Sequence, residues 1–306
     1  MRVMLVEDSV VERRQVGDYL LGWKIEFLPI ADGKDAWDAI QAPDAPSLVL
    51  LDWSLPGLDG IELCRRIRTL GANGAYVYIV MLTAKEKKQD LLTAMAAGAD
   101  DYLVKPVDPE ELRARLMVGK RILELQQSMR FAATHDFLTK LLNRAEILAS
   151  LKRELSRCQR EDRSTAIILA DLDHFKRIND SLGHAAGDAV LKEVAERLQS
   201  DLRTYDVVGR YGGEEFLILL PNCDSITATR RADEIRSLVS RKAIITTFAT
   251  VSATISMGVT VSDKSQSLAI GDLLHQADQA LYAAKEAGRN CVRTFMTVGE
   301  ASNVSG

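Results

Sequence analysis

The sequence predicts two folds in tandem, an open parallel α/β sheet followed by an α+β sandwich, joined by a helix. Strand-like apolar runs alternate five times with helical segments between Arg2 and Val104, as expected of a doubly wound sheet covered on both faces. The second half departs from that alternation. One long strand is followed by two helices and then a hairpin, so its strands must pair in mixed directions. Between the halves, Asp108-Pro109-Glu110-Glu111 combines an N-cap, a first-turn proline and a capping-box glutamate, a strong helix start.

Composition agrees with two soluble domains, each able to bury its own core. The 306 residues are 47% hydrophobic and 27% charged. No apolar run approaches the roughly 20 residues of a membrane-spanning helix. The start, Met1-Arg2-Val3-Met4-Leu5-Val6-Glu7-Asp8, turns acidic at once and does not read as a signal peptide. A cytoplasmic location with no membrane partner is expected. Net charge is −4, with 17 basic and 20 acidic residues in 1–130 and 22 and 23 thereafter. Neither half has the basic excess of a nucleic-acid binder. Cys64, Cys158, Cys223 and Cys291 stand apart, without metal or redox spacing, and read as reduced thiols.

In chain order, residues 2–6 form a buried strand that ends at Glu7-Asp8. A helix follows through Val16, Tyr19 and Leu20, then a strand at Ile25–Ile30 and a helix at Ala36–Ile40. Leu48–Leu51 is a continuous apolar run, the mark of a strand covered on both faces, and it delivers Asp52. Tyr76–Leu82 ends at Thr83, and Asp101–Val104 ends at Lys105-Pro106. In such sheets function gathers beyond the carboxyl ends of the strands, which brings Glu7, Asp8, Asp52, Thr83 and Lys105 together. Three carboxylates in one cleft repel unless a divalent cation sits among them, and all-oxygen ligation suits Mg²⁺ or Mn²⁺. An accessible Asp beside such a cation can attack phosphorus, with Lys105 and the Thr83 hydroxyl on the phosphoryl oxygens.

This pattern, with Asp52 followed by Pro56-Gly57 and with Lys105-Pro106, resembles the receiver domain of two-component response regulators. The resemblance implies a flavodoxin-like fold over 1–120, Asp52 as phosphoacceptor, and Tyr102 as an aromatic that repacks with Thr83 and Lys105. It also implies a sensor histidine kinase or phosphorelay protein as partner. The helix from Asp108 keeps apolar positions at Leu112, Leu116, Ile122, Leu123, Leu125 and Met129. Residues 121–135 are therefore expected to be a helical linker. Its two usable heptads, marred by Gly119, make it a candidate homodimer seam as well as a helix packed on its own domain.

In the second half a helix is expected at 145–158, a central strand at Thr165–Asp171, and helices at 174–182 and 187–200. A hairpin over 206–220, a helix at 226–240, a strand within Thr250–Val261, a helix at 272–287 and a strand near Val292 follow. Glu300–Gly306 is small and polar, and 299–306 is expected to be a disordered tail. The hairpin tip, Arg210-Tyr211-Gly212-Gly213-Glu214-Glu215-Phe216, offers backbone freedom, close access for a ligand and two adjacent carboxylates. Taken alone it is a solvated acidic turn, but it keeps company at fixed distances. Asp136-Phe137-Leu138-Thr139-Lys140 opens the domain, and Asp171-Leu172-Asp173-His174-Phe175-Lys176-Arg177-Ile178-Asn179-Asp180 follows the central strand. Arg203-Thr204-Tyr205-Asp206 precedes the hairpin, and Lys285-Glu286-Ala287-Gly288-Arg289-Asn290 closes the set.

Together these motifs resemble the GGDEF family of diguanylate cyclases, with Lys140 standing where the opening motif usually has glycine. The resemblance implies a nucleotidyl-cyclase-like fold over 136–298 and the joining of two GTP into cyclic di-GMP with release of pyrophosphate, by a dimer. Asp171, Glu214 and the Leu172 carbonyl would hold two cations, and Glu215 would bind metal or take up a proton. Gly212 and Gly213 would let GTP approach. Lys176, Lys285 and Arg289 would hold its phosphates, the last two being four apart and so on one helical face. Asn179 and Asp188 would read guanine, whose edge presents two adjacent N–H donors that a carboxylate accepts together. Helix capping is the competing role for both. Arg203 and Asp206 would form an inhibitory product site, against a plain surface i,i+3 ion pair. His174, His184 and His275 have no paired ligand and read as structural. The alternative function is a catalytically inactive cyclic di-GMP receptor or scaffold acting through Arg203 and Asp206.

Overall fold

The computed structural model describes residues 1–70, 76–84, 88–161, 163–247, 249–262 and 269–295. The tail expected at 299–306 lies outside the described residues. The chain forms two compact units, Met1–Arg130 and Phe131–Gly306.

In the first unit the elements are β1 (Arg2–Val6), α1 (Val10–Gly22), β2 (Glu26–Ile30), α2 (Gly33–Ile40), β3 (Leu48–Asp52) and α3 (Gly60–Leu70). They continue with β4 (Tyr78–Thr83), α4 (Lys88–Ala97), β5 (Asp101–Val104) and α5 (Pro109–Thr134). All strand pairs are parallel, in the order β2-β1-β3-β4-β5. Alternate side chains of the central strands feed two cores. Met4, Val6, Val49, Leu51, Ile79 and Met81 pack with α2, α3 and α4. Val3, Leu5, Leu48, Leu50, Val80 and Leu82 pack with α1 and α5. Burial on both faces explains why β3 and β4 read as unbroken apolar runs.

Helix α5 packs on this sheet through Leu112, Leu116 and Gly119, all buried. Gly119 belongs to this internal contact, since a Cβ there would lie 2.6 Å from the Tyr78 ring. Residues 124–133 are exposed along the whole circumference of the helix, Leu125, Met129 and Phe131 included.

The second unit contains α6 (Arg144–Glu161), β6 (Thr165–Leu172), α7 (Phe175–Leu182), α8 (His184–Ser200), β7 (Val207–Arg210), β8 (Glu215–Pro221) and α9 (Ser225–Ser240). A short antiparallel pair, β9 (Ile244–Ile245) and β10 (Thr250–Val251), comes next, then β11 (Ile255–Ser262), α10 (Ile270–Glu286) and β12 (Val292–Thr294). The main sheet runs β12-β11-β6-β8-β7, antiparallel except for β11 with β12. One face of β6 and β8 packs on α7, α8 and α9, the other on α6 and α10. The mixed pairing read from the sequence is present. The β9–β10 pair was not foreseen, because two-residue strands carry no readable alternation.

Candidate functional site

Four strand ends of the first unit converge on one lysine. Glu7 follows β1, Asp52 ends β3, Thr83 ends β4, and all three are buried; Asp8 is exposed beside them. Lys105, just after β5, places Nζ 2.7 Å from Glu7 Oε2, 3.0 Å from Asp52 Oδ1 and 2.6 Å from Glu12 Oε2. Burial pushes the Glu7 and Asp52 carboxyls up, and the Lys105 ammonium pulls both back only in part. For Lys105 itself, desolvation is outweighed by hydrogen bonds to Glu12, Glu7 and Asp52, which hold the ammonium protonated. Glu7, Asp8 and Asp52 offer carboxylate oxygens within 4.8 Å of one another, an all-oxygen set that fits Mg²⁺ or Mn²⁺. Tyr102 is half-buried against the α2–α4 face rather than among the carboxylates.

Glu12 escaped the sequence reading. Ser9-x-x-Glu12 has the form of a capping box, and the Glu12 amide does donate to Ser9 Oγ at 3.4 Å. The Glu12 carboxylate goes to Lys105 instead, a contact that only the meeting of α1 with the residue after β5 at the strand ends reveals.

In the second unit, β6 and β8 pair Asp171 directly opposite Glu215, and the Leu172 amide donates to the Glu214 carbonyl at 3.2 Å. Glu214 closes the four-residue turn between β7 and β8, and Glu215 begins β8. Gly212 and Gly213 are not among the left-handed residues, contrary to the backbone freedom expected of them. A Cβ at Gly212 would lie 2.6 Å from Glu215 Oε2, the far end of a flexible side chain, and would displace that carboxylate. Lys285 Nζ lies 2.9 Å from Asp171 Oδ1. Burial raises the Asp171 carboxyl, with Lys285 opposing; burial and then Asp171 raise Glu215. The 4.8 Å convergence of the first unit's carboxylates is not repeated by Asp171, Glu214 and Glu215 among the described residues. Their donor set, carboxylates with the Leu172 carbonyl, is still of the oxygen type that Mg²⁺ prefers.

The turn is fastened from outside. Arg210 donates to the Gly213 carbonyl through Nε at 3.0 Å and Nη2 at 2.8 Å, and its Nη1 reaches Asp136 Oδ1 at 3.1 Å. Asp136 also accepts from the Thr139 amide and hydroxyl. Burial raises the Asp136 carboxyl, but the bonds from Thr139 and Arg210 win and hold it below its usual range. Lys140, the odd residue of the opening motif, sits at φ +61°, the conformation that favours glycine there.

Asn179 and Asp188 are drawn together by α7 and α8, whose contact leaves no space for a Cβ at Gly187, 1.9 Å from Asn179 Oδ1. Asp188 lies a turn inside α8, whose N-cap is Gly183, and Asn179 is interior to α7, so neither caps a helix start. Lys176 is exposed in the first turn of α7. Arg203 and Asp206 close a small turn. Asp206 Oδ2 accepts the Arg203 amide at 3.0 Å, while the guanidinium goes to the Tyr205 hydroxyl at 3.2 Å. Among the described residues, the side-chain ion pair considered from the sequence gives way to these two contacts.

One expectation fails outright. Lys285 and Arg289 do not share a helical face, because α10 ends at Glu286 and Arg289 lies beyond it at φ +66°. His174 caps α7 in a left-handed conformation, His184 opens α8, and His275 pairs with Gln279 at 3.0 Å. Cys64, Cys158 and Cys223 are buried and Cys291 is half-buried, all unpaired. Among the described residues no helix is long and apolar enough to cross a membrane.

Comparison with known proteins fits both units. Residues 133–291 match the family model of the diguanylate cyclase GGDEF domain, and residues 3–117 that of the response regulator receiver domain. The chain is 32% identical to the response regulator PleD of Caulobacter vibrioides over 305 residues, 95% of this chain and 65% of that protein. It is 31% identical to the probable diguanylate cyclase DgcE of Escherichia coli, over 96% of this chain and 26% of that one. It thus spans under two thirds of either relative. Among solved structures, the coiled coil and GGDEF domain of DgcB from Caulobacter crescentus in complex with c-di-GMP superposes with a TM-score of 0.54. That match is at 29% identity, over 60% of this chain and 98% of that one. SiaD from Pseudomonas aeruginosa, solved with its activator SiaC, gives 0.52 at 34% identity over 60% of this chain and 70% of that one. By its fold, its motifs and these matches, the chain belongs to the GGDEF family, with a response regulator receiver domain preceding the GGDEF domain.

Proposed function

We propose that this protein is a phosphorylation-regulated diguanylate cyclase that condenses two GTP into cyclic di-GMP as a homodimer. The observation that carries it is the β6–β8 register, which sets Asp171 against Glu215 and ties Leu172 to Glu214. The ribose 3′-hydroxyl of one GTP attacks the α-phosphate of the other, a 3′-proton is lost and pyrophosphate leaves; the same step repeated closes the ring. Asp171, Glu214 and the Leu172 carbonyl are the residues that would hold Mg²⁺ or Mn²⁺. Bound there, such cations neutralise charge at the phosphate and sharpen the nucleophile. Glu215, its carboxyl raised by burial and by Asp171, is suited to accept the 3′-proton. Lys176, Lys285 and Arg289 grip the β- and γ-phosphates, and Gly212 and Gly213 admit the nucleotide. Asn179 and Asp188 select guanine. Arg203 and Asp206 bind product and restrain synthesis, as fits a relative solved in complex with c-di-GMP.

In the receiver, Asp52 accepts a phosphoryl group from a histidine kinase or phosphorelay protein, beside a cation held by Glu7 and Asp8. Thr83 and Lys105 move to that group and Tyr102 repacks. The test is product analysis after incubation with GTP and Mg²⁺, with and without beryllofluoride. Cyclic di-GMP with stoichiometric pyrophosphate, increased by beryllofluoride, is expected. Binding of cyclic di-GMP without pyrophosphate release would favour the inactive receptor.

A further inference from the structure

Arg289 poses a problem of placement. It follows α10 in a run of three left-handed residues: Gly288 at φ +105°, Arg289 at φ +66° and Asn290 at φ +45°. Two non-glycine residues in succession hold such a conformation only when their surroundings impose it. The last carbonyls of α10 hold the first two of these residues, the Gly288 amide donating to Lys285 at 3.4 Å and the Arg289 amide to Ala284 at 3.1 Å. The third, Asn290, is held by Asp173, a buried carboxylate with no part in the chemistry above. Its Oδ1 accepts from Ser256 Oγ at 2.7 Å; its Oδ2 accepts from Thr254 Oγ1 at 2.7 Å and from the Asn290 amide at 3.0 Å. Both oxygens are thus engaged within the protein, as a buried charge requires. Arg236 secures the same residue from α9, donating Nη1 to Asn290 Oδ1 at 2.8 Å.

We infer that Asp173 is a positioning residue, which locks the Gly288–Asn290 turn in its left-handed form and so aims Arg289 at the polyphosphate of GTP. The inference rests on the nucleotide-binding reading given above. Because helical periodicity does not carry Arg289, Asp173, just past the end of β6 and itself held by Thr254 and Ser256, reaches across to fix the far side of the turn at Asn290.

The experiment measures GTPαS affinity by calorimetry and steady-state constants for GTP, in the full-length protein with Mg²⁺. Asp173→Asn keeps the volume but replaces an acceptor with a donor. It should weaken GTPαS binding and raise KM about tenfold while kcat stays within about threefold. In an Arg289→Ala background the same change should alter either constant by less than about twofold, since the group it positions is gone. Arg236→Ala, at a partly exposed side chain, should weaken binding in the same direction, and it carries the test should Asp173→Asn fold poorly. Full multiplication of the Asp173 or Arg236 effect with that of Arg289→Ala would overturn the inference, as would a fall in kcat at constant KM. If wild type binds GTPαS and turns over GTP while these variants match it, the inference fails and the cyclase reading stands. A wild type that binds no GTPαS removes the reading and the inference together.

Discussion

Arg210 bonds a residue 74 positions away in the chain as well as its own turn: it secures the Gly213 carbonyl and the Asp136 carboxylate. Glu214 is the next residue after that fastened carbonyl. Glu214→Gln keeps the shape and removes the charge, so turnover should fall at least about a hundredfold, a loss near 2.7 kcal/mol, with folding intact. Product formation at the wild-type rate would exclude Glu214 from the reaction. Asp136 offers a separate test by acid titration. Its folded carboxyl lies below the free value of 3.8, so it contributes stability above that value and loses it as pH falls through the folded one. The urea midpoint of Asp136→Asn should therefore lie below wild type near neutral pH, the gap closing as pH falls below the free value of 3.8. A gap independent of pH would mean that charge is not what Asp136 contributes. Most of these side chains were legible as members of motifs, whereas their partnerships were not. Glu12 was not singled out at all, and no local rule pairs Asp136 with Arg210 or Asp173 with Asn290.

Helices were legible in existence and less so at their ends. The α10 pattern was read to 287, already short of Arg289, and the helix ends at Glu286, so the shared face expected of Lys285 and Arg289 needed a further turn that does not form. The α8 start was read at 187 rather than His184, which is why Asp188 looked like a cap. Helix α5 holds the expected linker and candidate homodimer seam. Past Gly119 and the half-buried Ile122 and Leu123, residues 124–133 have no cover of their own. If signal passes by rotation along it, the 3.6-residue period sets the outcome. Four residues inserted near Gln126 should roughly preserve beryllofluoride stimulation, and two should uncouple or lock the enzyme by about half a turn. Stimulation surviving both insertions would replace a rigid helix with tethering or dimer affinity.

At the scale of the whole molecule, the alternating apolar runs of the first unit made its parallel sheet readable. The strand order came with the receiver resemblance rather than from any periodicity. In the second unit the hairpin and the central strand were readable for the same reason, that β6 and β8 are buried along their length. Two predictions belong here because each joins distant parts. Asp52→Asn should abolish stimulation by acetyl phosphate or beryllofluoride and leave basal synthesis measurable; equal stimulation would show that the input lies elsewhere. Arg203→Ala should weaken inhibition by cyclic di-GMP and spare initial rates, and an unchanged inhibition constant would reduce the Arg203–Asp206 turn to a structural one. The four apolar cores have a consequence for descent. Each draws its residues from one unit alone, so drift in one core demands no compensating change in the other. Lineages can then exchange either half as a gene cassette. If signal passes by rotation along α5, insertions and deletions tolerated in its codons should cluster at lengths near four and seven residues, about one and two turns.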